Sequence, residues 1–154
     1  MYKHILVPVD GSPTSTQGLG EALRLARMSG GQVRLLHLVD TLSLALTLGA
    51  YGAFSGDIAE DMRKEGQKIL EDCRQQALDA GVPVDVVMEE GTRGRLAELV
   101  QEQVRSWPAD VVVLGTHGRR GVGRMVLGSD AEQVVRSCPV PVQLIRGTDA
   151  LPIG

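Results

Sequence analysis

The sequence predicts an α/β fold: a doubly wound five-stranded parallel sheet with helices on both faces, flavodoxin- or Rossmann-like, in a single domain. Five apolar, β-branched runs alternate with segments of helical periodicity along the 154 residues. Several runs, Val111-Val112-Val113-Leu114 above all, are apolar without alternation, as strands covered on both faces must be. The helical segments are long enough to serve as right-handed crossovers between parallel strands. A chain of this length with 43% apolar residues buries one sizeable core, which makes residues 1–154 one domain.

The first strand is Ile5 to Val9. A helix follows with Leu19, Ala22, Leu23 and Ala26 on one face, Ser12 or Thr14 as N-cap and Gly30-Gly31 as its stop. After the second strand, Val33 to Val39, the stretch from Thr41 to Gly56 is nearly uncharged but interrupted by Ser43, Gly49, Gly52 and Ser55. A membrane span needs about 20 mostly apolar residues, so this stretch is expected to be a mobile or packed loop, a lid or a partner surface. A second helix from about Asp57 to Ala80 carries Ile58, Met62, Ile69, Leu70, Cys73 and Ala77 near one stripe, is weakened at Gly66 and ends at Gly81. The third strand is Val84 to Met88. Leu96, Leu99, Val100, Gln103, Val104 and Trp107 mark a third helix closed by Pro108. The fourth strand, Val111 to Leu114, precedes a short helix marked by Ala131, Val134, Val135 and Cys138 and ended by Pro139; Val140 to Ile145 is the fifth strand.

Composition removes several functional classes. Charged residues make up 23% and the net charge is −3, which disfavours nonspecific nucleic-acid binding. The N-terminal apolar run meets Pro8 and Asp10, too soon for a signal-peptide core, so a cytoplasmic location is expected and no membrane association. Cys73 and Cys138 form neither a C-x-x-C pair nor a cluster with His4, His37 or His117, which predicts reduced core thiols and no zinc site. Ser12 lacks a nucleophile elbow, and the paired acids near the first strand and the lysine near the last strand's end that a phospho-receiver carries are missing.

In a doubly wound sheet, ligands bind beyond the carboxyl ends of strands where the strand order reverses. Two strand ends carry chemistry: Val9-Asp10-Gly11-Ser12 and Gly115-Thr116-His117-Gly118. The segment GTHGRRGVGRMVLGS, Gly115 to Ser129, follows a strand and enters a helix, so it can place backbone N–H groups and a helix N-terminus around an anion. It is not a Walker A loop, and no G-x-G-x-x-G follows the first strand. Gly115 and Gly118 also suit plain turns, and Asp10 a helix cap or turn. Arg119, Arg120 and Arg124 suit either a solvated loop or a clamp over phosphates.

Gly115, two residues, Gly118, nine residues, then Gly128-Ser129 is a spacing that resembles the nucleotide-binding members of the universal stress protein family. The resemblance extends to KHILVPVDGS, LLHLVD and GSDAEQVVRSCPVPVQLIR, nearly the whole chain. It implies ATP; because the loop offers few carboxylates, Mg²⁺ is expected to be held mainly by the phosphates and water. The resemblance places Pro8, Val9 and Asp10 near the adenosine and Val39 against the base. Gly115 and Gly118 would approach the ribose and phosphates, and Gly128, Ser129 and the N–H of residue 130 would meet the phosphate chain. Asp130 stands where the family often has a hydrophobic residue, and its carboxylate would repel phosphate. The resemblance further implies a homodimer through the last strand, and a regulatory or sensor role with at most slow hydrolysis. A nucleotide-independent dimeric module and an enzyme acting on a phosphorylated ligand are the other readings.

Overall fold

A computed structural model describes residues 1–49, 56–116 and 127–147. Five parallel strands, β1 (His4–Pro8), β2 (Gln32–Val39), β3 (Val84–Glu90), β4 (Val111–Gly115) and β5 (Val142–Ile145), form one sheet in the order β3-β2-β1-β4-β5. This is the order of a Rossmann half rather than of flavodoxin, where another strand would separate β1 from β4. Here β1 pairs directly with β2 and with β4.

Side-chain alternation along the strands sorts the core into two layers. Ile5, Val7, Val33, Leu35, Val111 and Val113 face one side, where they pack with α1 (Pro13–Ser29) and α3 (Gly56–Asp79). Leu6, Leu36, Val112 and Leu114 face the other, against α4 (Leu96–Ser106) and α5 (Ser129–Ser137). Both faces of β1 from Ile5 and of β4 up to Leu114 are buried, which is why these runs carry no polar alternation, whereas β2 opens on half-buried Gln32 and Arg34.

Ser12 is the N-cap of α1, its Oγ accepting from the Ser15 N–H at 3.2 Å, and Gly30 ends the helix with φ of 64°. On α3 the buried stripe is Ala59, Gly66, Leu70, Cys73 and Ala77. Gly66 is a packing requirement rather than a weak point: a Cβ there would stand 2.8 Å from His37 Cδ2 and 3.1 Å from Val39 Cγ2, so its absence lets α3 settle on β2. Burial pushes the Cys138 thiol above its ordinary pKa, and both cysteines are free.

The stretch after β2 departs from expectation. Thr41–Gly49 is a helix, α2, not a loop. Asp40 caps it, its Oδ1 accepting from the Ser43 N–H at 3.1 Å, and Leu42, Leu44, Ala45, Leu46 and Leu48 are strong helix formers that outweigh the interspersed serine and threonines. None of its residues is fully buried, and Leu42 and Leu46 are exposed. The rest of that stretch, residues 50–55, lies outside the described residues. No helix among the described residues is long and apolar enough to cross a membrane.

Candidate functional site

The strand order reverses between β1 and β4, the two strands whose ends carry the sequence motifs. The chain leaves β1 toward α1 on one face of the sheet and leaves β4 toward α5 on the other, which opens a crevice at their carboxyl ends. A cavity of about 560 Å³ occupies it. Pro8, Val9 and Asp10 line it from the end of β1, Val39 from β2, Gly115 from β4, and Gly128, Ser129 and Asp130 from the start of α5. Gly118, with His117, Arg119, Arg120 and Arg124, lies outside the described residues.

Local hydrogen bonds shape each wall. Asp10 closes the turn between β1 and α1: its Oδ1 accepts from the Ser12 N–H at 2.9 Å, and its own N–H donates to Ser15 Oγ at 3.1 Å. The carboxylate is thus a turn former at the cavity edge. Gly128 is the N-cap of α5 and offers no side chain to its first turn, while its N–H donates to the Thr116 carbonyl at 2.7 Å. That bond brings the start of α5 to the end of β4. The positive end of the α5 dipole therefore borders the cavity.

Packing gives Gly115 a reason to be glycine. A Cβ there would lie 2.9 Å from Thr14 Cγ2 and 3.3 Å from the Thr14 backbone, so the first turn of α1 fills the space a side chain would need. Close helix-to-sheet packing accounts for this residue.

Sequence reasoning placed Ser12 at a motif-bearing strand end only as a cap, and missed Ser15, His37, Asp40, Met62 and Glu65; all six line the cavity. Met62 and Glu65 sit three residues apart on α3, on the turn that precedes Gly66, but only the packing of α3 on β2 carries them there. Asp40 had a visible signal: it directly follows β2, as Asp10 lies just beyond β1. Four carboxylates, Asp10, Asp40, Glu65 and Asp130, therefore lie around the cavity.

Cys73, buried on α3, has its thiol pushed up to about 11 by burial and by the nearby charges of Asp72 and Asp10. It is protonated at neutral pH and so a packing group rather than a nucleophile. At the end of β3 an exposed pair with Arg63 of α3 holds Glu90 below the usual carboxylate range, mainly through the hydrogen bond between them. Among the described residues no three acidic, histidine or cysteine side chains gather to hold a metal.

A model of the universal stress protein family matches residues 1–146. The chain belongs to the universal stress protein family. It is 32% identical to universal stress protein MJ0531 of Methanocaldococcus jannaschii over 95% of this chain and 83% of that one. Among solved structures, the hypothetical protein MJ0577 superposes with a TM-score of 0.79 at 23% identity, over 95% of this chain and 96% of its own. A universal stress protein from Archaeoglobus fulgidus, solved in complex with dAMP, superposes with a TM-score of 0.67 at 20% identity, over 94% and 98% of the two chains. These superpositions establish that this universal stress protein has the fold of its solved relatives.

Proposed function

We propose that this universal stress protein binds ATP in the switch-point cavity and acts as a cytoplasmic stress-response sensor or regulator. The carrying observation is that the two motif-bearing strand ends and the N-terminus of α5 border one cavity of about 560 Å³, a size suited to a small ligand. The dAMP complex of the Archaeoglobus fulgidus relative supports an adenine nucleotide. In this reading Pro8, Val9, Asp10 and Val39 take the adenosine. Backbone N–H groups at Gly128, Ser129 and Asp130 take the phosphates, where the helix dipole favours negative charge. Gly118 belongs with them through its motif spacing.

Mg²⁺ fits this wall as an ion carried in on the phosphates. Asp130 is the carboxylate beside Gly128 and Ser129 that would face it, and an ion that keeps most of its water shell needs no cage of protein ligands. Bound there, it would offset repulsion between Asp130 and the phosphate chain. No side chain is assigned to proton transfer, so the function is binding, with slow turnover at most.

Acid denaturation of the purified protein, followed by chromatography of what is released, tests the reading together with calorimetric titration of ATP. Released adenine nucleotide, or measurable ATP affinity in emptied protein, is expected. Protein that arrives empty and takes up no ATP would leave the nucleotide-independent module.

A homodimer is part of the proposal. β5 lies at a sheet edge, with Leu144 exposed and only β4 beside it, and antiparallel pairing of residues 140–146 with the same segment of a second copy would cover that edge. Sedimentation at micromolar concentration is expected to give twice the chain mass; monomers alone would count against it.

A further inference from the structure

His37 is a buried imidazole in the cavity wall for which the motif resemblance assigns no role. It stands on the α3 side of β2, and its Nδ1 lies 2.7 Å from the Val9 carbonyl oxygen. A carbonyl can only accept, so Nδ1 carries the proton and donates. Val9 is the residue just past β1, where the ladder ends: its N–H still reaches the Leu36 carbonyl at 2.8 Å, and its own carbonyl takes the histidine. The ring is held from behind as well. A Cβ at Gly66 would lie 2.8 Å from Cδ2 and 3.0 Å from Nε2, so α3 closes on the imidazole edge and restricts its rotation.

From Val9 the restraint passes into the chemistry-bearing turn. The next residue is Asp10, whose N–H and carboxylate are tied to Ser15 and Ser12 at the start of α1. His37, Val9 and Asp10 all line the cavity. We infer that His37 is a positioning residue of the nucleotide site, holding the Val9 peptide, and through it the Asp10 turn, in the orientation that receives the adenosine. This inference rests on the nucleotide reading above. A histidine that only locked the fold would contribute to stability and leave the affinity of the folded protein unchanged.

The test is calorimetric titration of ATP with Mg²⁺, beside thermal melting, on the natural protein, His37→Leu and His37→Asn. Asparagine keeps a short N–H donor near the position of Nδ1; leucine keeps bulk without a donor. His37→Leu is expected to lose roughly tenfold in ATP affinity, the scale of one buried hydrogen bond, and His37→Asn to recover most of it although both melt earlier. Natural-strength binding by folded His37→Leu, or equal weakness in both variants, would overturn the inference. Should His37→Leu not fold, the Nδ1 proton resonance of the natural protein decides: it shifts on ATP addition if His37 holds the contact peptide, and an unmoved resonance refutes it. Failure of the natural protein to bind any adenine nucleotide would instead bring down the nucleotide reading, and this inference with it.

Discussion

Gly115→Val is expected to lower the melting temperature and to weaken ATP binding in the protein that remains folded. Even the first added carbon would stand 2.9 Å from Thr14 Cγ2 and 3.3 Å from the Thr14 backbone, and valine adds two more. Overpacking of this kind costs roughly 1–3 kcal/mol, or about 3–10 °C in a domain of this size. The strain falls on the first turn of α1. That turn carries Ser12 and Ser15, which hold Asp10, so relief of the clash moves the β1 end of the cavity, where the proposal seats the adenosine. Gly20→Ala on the same helix is the contrast: a Cβ there meets nothing within 4 Å, and replacing a helical glycine should stabilise by up to about 1 kcal/mol. Differential scanning calorimetry of the two variants checks both signs. A Gly115→Val protein that melts with the natural one would show that α1 does not pack on β4 as described.

Gly118→Val is expected to abolish ATP binding, a loss of at least about a hundredfold, while the protein stays folded. Gly118 lies outside the described residues, and the argument is the motif: two glycines three apart after a strand, then Gly128-Ser129, a spacing whose resemblance to nucleotide-binding family members implies a backbone approach to the nucleotide that a side chain would block. Substitutions beyond a strand end usually cost less stability than core changes. Titration beside melting separates the outcomes. Unchanged affinity would remove the glycine loop from the phosphate site and return the function to the interaction module. Loss of folding would shift the test to Ser129→Ala, which removes one hydroxyl worth about 0.5–1.5 kcal/mol.

The two predictions draw on different kinds of information. Gly118 is argued from the sequence, whereas the effect at Gly115 depends on Thr14, a residue about a hundred positions away. The resemblance places Gly115 by the ribose and phosphates, and its packing against α1 could be seen only in three dimensions.

The sequence by itself determined the five strands, four of the helices with their stops, the parallel character of the sheet and the motif positions at two strand ends. Each of these follows from local physics: unbroken apolar runs, helical spacing, and glycine or proline at the ends. The tertiary structure alone decided what depends on contacts between distant segments. It chose the strand order that sets β4 beside β1, and it brought Met62 and Glu65 of α3 and His37 of β2 to the cavity. It also resolved α2. Serine, threonine and glycine suggested a break there, but leucine propensity and an aspartate cap prevail once β2 ends at Val39. Gly66 makes the same point: along the chain it is a helix weakener, and against β2 it is the gap that His37 fills, because the cost of glycine is local and its benefit is long-range packing.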